Sequence, residues 1–311
     1  MVETSVAVLS GGFFLDDARA HFGAERVSLL ADDLQEVAAQ LGELVEQGVQ
    51  VAVIYGDDVL LGRVVSACLR EVELAASGLR LWPCAPAGVS TVADAIGAAL
   101  KPGRAARLLE QAAGWQAEMV PTLKVSASTE AGALYGFSFG AGWVYRAQQA
   151  RKQSQQGASE LVSAMVGLAS DTLRETQGTD VAARMRVDQS VVEMHQGSVV
   201  ATTLGRTWFG LRHGGPGPAV WPHIPTRALV RQGLKPELLE AVGEGAGKPR
   251  ELGSLVLDAP AGWTLDGALH APDPGCALRV SPGPKVALVR PPGRIGKWVS
   301  RVLDATAPDA R

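Results

Sequence analysis

The chain has 311 residues, of which 47% are hydrophobic and 20% charged, and a net charge of −3. That length buries a sizeable core and fits two domains. The near balance of charge excludes a global nucleic-acid footprint, and Cys68, Cys84 and Cys276 stand too far apart for a disulfide framework or a CxxC zinc site.

Met1-Val-Glu-Thr-Ser-Val-Ala-Val-Leu leads directly into a strand, with an acidic flank where a secretory leader would be basic. No window reaches about 18 uninterrupted apolar residues, so no spanning helix is expected. The expected setting is the cytoplasm, with free thiols. Short apolar runs at 5–9, 27–30, 49–55 and 79–81 read as strands. Between them, Leu34, Val37, Leu41 and Leu44 fall at helical spacing, and helices are also predicted over 60–74 and 91–100. Strand–helix alternation with short connections predicts a doubly wound parallel sheet.

The richest stretch is Val51-Ala-Val-Ile-Tyr55-Gly56-Asp57-Asp58-Val59-Leu60. A buried strand here hands over to a helix through a Gly-Asp turn. In open α/β sheets such a junction is where phosphates bind, because free amides and the helix dipole favour an anion.

After about residue 120 the grammar changes. Alternating runs at 183–187, 190–195, 198–203, 208–211, 253–257, 263–265, 278–280 and 285–289 are separated by Gly and Pro. They predict antiparallel β structure with one inserted helix over 158–174. Gln196-Gly197 predicts a hairpin between its flanking strands. Residues 290–305 place Ile295, Trp298, Val299, Val302 and Leu303 on one helical face, with Arg294, Lys297 and Arg301 nearby. Such a helix docks on its own protein or lies on an anionic membrane, and docking is the commoner case.

Six segments, in order, carry a family resemblance. Gly56-Asp57-Asp58 resembles a Gly-Gly-Asp-Gly-Thr loop, and Pro86-Ala-Gly88-Val-Ser90-Thr91-Val-Ala-Asp resembles Pro-Leu-Gly-Thr-Ala-Asn-Asp. Phe137-Ser-Phe-Gly140-Ala-Gly142 resembles Ser-x-Gly-Phe-Asp, and Thr203-Leu204-Gly205-Arg206 resembles x-Asn-Gly-Arg. Asp266-Gly267-Ala268 resembles Asp-Gly-Glu, and Ser281-Pro-Gly-Pro resembles a closing Pro-Gly strand. A Gly-containing strand lead with an acidic residue, Gly114 to Glu118, falls in its place among them. These segments are similar to those of the diacylglycerol kinase-like lipid kinases.

The resemblance implies an α/β plus β architecture. An N-terminal nucleotide-binding domain (1–122) is followed by an antiparallel β-sandwich-like domain (123–290) and a C-terminal helix or tail (291–311). It implies ATP with Mg²⁺ as cofactors and transfer of a phosphoryl group to the hydroxyl of a diacylglycerol or sphingoid base. Gly56, Asp57, Asp58, Gly88, Ser90 and Thr91 would line the nucleotide, and Asp266 would act near the acceptor hydroxyl. Metal ligands remain unassigned. A lipid or membrane-surface substrate is the implied partner, nucleic acid is not, and a homodimer is allowed.

The departures from the family are chemical. Asp58 replaces a loop glycine, Ser90-Thr91 replaces Asn-Asp, Gly142 and Leu204 replace Asp and Asn, and Ala268 replaces Glu. A non-catalytic nucleotide- or lipid-binding relative is therefore a competing reading.

Gly136-Phe-Ser138-Phe-Gly140 opens a third one, since Gly-x-Ser-x-Gly is the pattern of an esterase nucleophile elbow. Its partners would be Asp258 or Asp266 with His270. His213 and His223 flank a Gly/Pro loop, and a metal site there is the weakest reading.

Overall fold

The computed structural model describes residues 6–85, 89–127, 132–153, 183–187, 190–194, 197–205, 217–225, 248–258, 262–271 and 276–291. The N-terminal part follows the expected alternation. Strands β1 (Val6–Ser10), β2 (Val27–Leu29), β3 (Val51–Tyr55) and β4 (Arg80–Cys84) pair in parallel in the order β2-β1-β3-β4. Every residue of β3 is buried, as a central parallel strand requires.

The helices owe their starts to side-chain caps. Asp33 accepts from the amides of Gln35 and Glu36 to start α2 (Leu34–Glu46), which buries Val37 and Leu41. Asp57 starts α3 (Asp58–Arg70) by accepting from Leu60. Ser90 starts α5 (Thr91–Ala95) by accepting from Ala93.

Two predicted helices come out shorter. The 60–74 helix breaks at Glu71, whose backbone is extended, so α3 is followed by a separate α4 (Val72–Ala76). The 91–100 helix stops after one turn because Gly97 takes a positive φ of 72°. There the amide of Ala98 bonds to the Ala93 carbonyl, which is a glycine-type helix end. Helices α1 (Leu15–Phe22) and α6 (Pro102–Leu108) were not foreseen.

The rest is antiparallel. Long strands β5 (Ala117–Ala127) and β16 (Ala277–Val289) pair along most of their length, interrupted between Pro282 and Lys285. Leu288 of β16 also pairs in parallel with Leu81, so the antiparallel strands continue the parallel sheet. This first sheet extends through β13 (Leu255–Asp258), β8 (Ala183–Val187) and β9 (Ser190–Met194), with β6 (Leu134–Gly136) on β5.

A second sheet runs in the order β12-β11-β10-β7-β14-β15. Its strands are β7 (Ser138–Gly142), β10 (Gly197–Thr202), β11 (Ala219–Pro225), β12 (Arg250–Glu251), β14 (Trp263–Leu265) and β15 (Ala268–His270).

Leu123, Val125, Leu255, Leu257, Leu278 and Val280 from the first sheet meet Phe139, Ala141, Val199, Ala201, Val220 and Leu265 from the second. That is a sandwich core. A separate core fills the α/β part, and Val120, Val286 and Leu288 belong to it. Both long strands thus pass from one core to the other, β5 between Val120 and Leu123, β16 between Val280 and Val286.

The hairpin expected at Gln196-Gly197 does not form. β9 pairs with β8 in the first sheet, whereas β10 pairs with β7 and β11 in the second. The chain changes sheets at that point, which alternation alone does not reveal. The inserted helix over 158–174, the run at 208–211, His213 and nearly all of the C-terminal amphipathic segment lie outside the described residues.

Candidate functional site

The strand–helix junction forms as predicted, but its polar groups turn inward. The Gly56 amide donates to the Cys84 carbonyl. A Cβ at Gly56 would stand 2.8 Å from Leu60 and 3.3 Å from Phe14, so the turn is packed shut around a glycine. Asp57 Oδ1 accepts from the Leu60 amide at 3.0 Å, which uses it as the cap of α3.

Asp58 reaches across to the start of α5. Its carboxyl accepts from Ser90 Oγ, from the Thr91 amide at 2.8 Å and from the Val92 amide at 3.3 Å. Burial raises its pKa, against the lowering effect of these donors. The structure therefore brings Gly56, Asp57, Asp58, Ser90 and Thr91 together. The first amides of α5 are thereby engaged by Asp58. Gly88 lies outside the described residues.

Asp266 has a different occupation from the one its resemblance implies. Asp266-Gly267 is the two-residue loop between β14 and β15, with φ of 50° and 86°. Asp-Gly between short strands is a strong signal for such a hairpin, because both positions need positive φ.

The Asp266 side chain is only 6% exposed. It accepts from the Phe137 amide at 2.9 Å and from the Ser138 amide at 2.8 Å. Phe137 lies where the chain passes from β6 in one sheet to β7 in the other, so its amide has no ladder partner, and Asp266 supplies one. Burial, reinforced by the charge of Asp58, raises the Asp266 pKa well above the usual carboxylate range.

Ser138 lies on strand β7 with its hydroxyl against Thr202 Oγ1 at 3.3 Å, not on a strand-to-helix elbow. His270 stacks on Trp263 with ring centroids 3.9 Å apart. The esterase constellation is therefore not assembled. Of the histidine pair, His223 falls in β11 and His213 lies outside the described residues. Among the described residues no three His, Cys, Asp or Glu side chains cluster as a metal site.

Between the start of α3 and the start of α5, the Asp58 carboxyl bridges to Ser90, Thr91 and Val92. A small depression, with room for about one water molecule, lies at the far end of α5, lined by Ala95, Ile96, Glu118, Val120, Thr203, Leu204 and Gly205. Thr203 Oγ1 is buried there without a hydrogen-bond partner. Arg290 Nη1 is likewise unpartnered by hydrogen bonds and stands 3.7 Å from Glu118. Sequence reading placed Glu118 and residues 203–205 on resembling segments but gave no signal that they share one wall.

Comparison with solved structures decides the fold. A Bacillus anthracis str. Sterne protein assigned as a diacylglycerol kinase superposes with a TM-score of 0.57 at 13% identity, over 93% of this chain and 96% of its own. A diacylglycerol kinase from the same organism gives 0.54 at 14% identity, over 93% and 98%. The fold is that of the diacylglycerol kinases. Yeast NADH kinase, in a complex with NADH, also matches this lipid-kinase fold, with a TM-score of 0.50 at 9% identity over 99% of this chain and 89% of its own. No protein-family profile matches the chain, and neither does any curated protein.

The kinase fold implies a nucleotide and a divalent cation. The described residues at the junction do not fit a magnesium nucleotide as they stand. The Leu60 amide is engaged by Asp57, the Thr91 and Val92 amides by Asp58, and Asp266 is bonded to the Phe137 and Ser138 amides. No helix among the described residues is long and apolar enough to cross a membrane.

Proposed function

We propose that this chain is a non-catalytic relative of the lipid kinases, a binding protein built on a phosphotransferase fold. The observation that supports this is the occupied junction. Phosphate recognition needs free amides at a positive helix end. Here Asp57 holds the Leu60 amide, and Asp58 holds Ser90, Thr91 and Val92. A polyphosphate would have to displace both side chains and then lie beside them. A like-charge pair at 4 Å costs about 4 kcal/mol at an effective dielectric of 20. The ligand class that the fold suggests is a lipid of the diacylglycerol or sphingoid-base type, met at a membrane surface.

The second reading is an active kinase that phosphorylates the hydroxyl of such a lipid with ATP and Mg²⁺, with Asp266 as base. The match to diacylglycerol kinases over 93% of the chain favours it. Catalysis would first require Asp266 to release the Phe137 and Ser138 amides.

Radiolabelled ATP with diacylglycerol or sphingoid-base micelles separates the two. Sedimentation with diacylglycerol-containing vesicles gives the binding arm. The proposal predicts vesicle binding with no labelled lipid. Labelled lipid that disappears in Asp266→Asn would establish the kinase, and failure to bind vesicles would overturn the lipid assignment.

A further inference from the structure

Between β6 and β7 the chain passes from the first sheet to the second, and side chains close the open edge of that passage. Strand β6 pairs only with β5 among the described residues. On its other edge, Ser66 Oγ accepts from the Tyr135 amide and donates to the Tyr135 carbonyl, both at 2.9 Å. Two residues on, the Phe137 amide donates to Asp266. Ser66, Tyr135 and Asp266 are all buried, so water does not replace these bonds. The closures come from distant parts of the chain. Ser66 belongs to α3 of the α/β part, and Asp266 to the β14–β15 turn of the second sheet.

One face of α3 makes the whole contact. Val59, Gly62, Ser66 and Arg70 are three or four residues apart, which stacks them along a single side of the helix. A Cβ on Gly267 would stand 3.6 Å from Val59 Cγ2, and one on Gly62 would stand 2.9 Å from Asp266 Oδ2. Ser66 follows, on the edge of β6. Beyond it the Arg70 guanidinium lies over Gly132, where a Cβ would stand 2.9 Å from Arg70 Cζ. The face thus meets, in order, the β14–β15 turn, the carboxyl of that turn, the β6 edge and the lead into β6.

We infer that this face of α3 is a clasp that makes the α/β part and the sandwich one cooperative unit. Two domains of one chain ordinarily shift or open independently of each other. Here separation would break the Ser66 bonds and leave the Tyr135 amide and carbonyl buried without partners, which is the costly way to lose a hydrogen bond. Because α3 begins at the Gly56–Asp58 junction, the junction and the β14–β15 turn move as one body. The clasp is independent of nucleotide binding, of lipid binding and of phosphoryl transfer.

Hydrogen exchange of the full chain in rising urea tests it, with one strand read in each core. Val51, Val53 and Ile54 of β3 lie in the first core, and Val199 and Ala201 of β10 in the second. In the native protein the slowest amides of β3 and β10 should exchange through one common opening, with equal protection and equal urea dependence. Ser66→Ala removes both hydroxyl bonds and should split the two sets by at least about tenfold. Val27→Ala is the control. It empties part of the first core on β2, at the far edge of the parallel sheet, and should lower both sets by one factor.

If Ser66→Ala does not fold, Val59→Ala, on the same face, takes its place and should split the sets in the same way. Three results would each overturn the clasp. The first is a native protein in which β3 and β10 already differ tenfold. The second is a Val27→Ala loss confined to β3. The third is a folded clasp variant whose two sets stay together.

Discussion

Glycines around Asp266 show how closely single atoms fix the site. A Cβ at Gly62 would stand 2.9 Å from Asp266 Oδ2, and one at Gly136 would stand closer still to the same oxygen. The carboxyl cannot swing aside without abandoning two amides. Gly62→Ala and Gly136→Ala should therefore each destabilise by about 1–3 kcal/mol. Gly42→Ala, within α2 and with nothing inside 4 Å, should stabilise by about 0.5–1 kcal/mol. Urea midpoints of the three variants check both signs.

His270 gives the pH counterpart. Its pKa is lowered, so the folded state prefers the neutral ring, and stability is retained above about 6.5 and lost as pH falls toward 4. His270→Phe keeps an aromatic ring against Trp263 and should remove this acid-side loss in a thermal melt. At the same scale Asp266 is instructive. Its Asp-Gly pair was read only as a kinase motif, and the positive φ at both residues shows a two-residue hairpin turn. What stayed hidden was the partner, since nothing local announces that residue 266 will serve amides at 137 and 138.

Among the elements, the β5–β16 ribbon joins the two cores, and its irregular point lies at Pro282-Gly283-Pro284. Thr122 Oγ1 donates to the Pro284 carbonyl at 2.6 Å, and a Cβ on Gly283 would stand 2.5 Å from Thr122 Oγ1. Thr122→Val should cost about 1 kcal/mol through the lost hydrogen bond. Gly283→Ala should cost more, because it also presses on the backbone of Leu123 and Lys124 at 3.2 Å. Calorimetric melting of both variants tests the ranking.

The parallel strands and α2 were legible because their apolar periodicity and caps lie within one stretch of chain. Residues 278–280 and 285–289 instead read as two strands, because Pro and Gly punctuate a strand that is in fact continuous through a bulge. The misassigned hairpin at 196–197 has a related cause. Sheet membership is decided by distant pairing, and β10 finds β7 and β11 rather than its neighbour β9.

For the whole molecule, motif order was the informative signal. Segments that are individually weak fall in the sequence of one fold, and the superposition on diacylglycerol kinases over 93% of the chain agrees with that order. The departures were also visible in the sequence, but not their consequence. An aspartate at position 58 reads as an extra charge facing a phosphate. In the fold it accepts hydrogen bonds from Ser90 and from the first amides of α5.

The decisive measurement is a thermal shift of the full chain titrated with Mg²⁺-ATP. A closed junction predicts an unchanged midpoint up to millimolar nucleotide. A saturable rise would contradict it, since a ligand at 100 times its Kd adds about 2.7 kcal/mol of stability and lifts the midpoint by a few degrees.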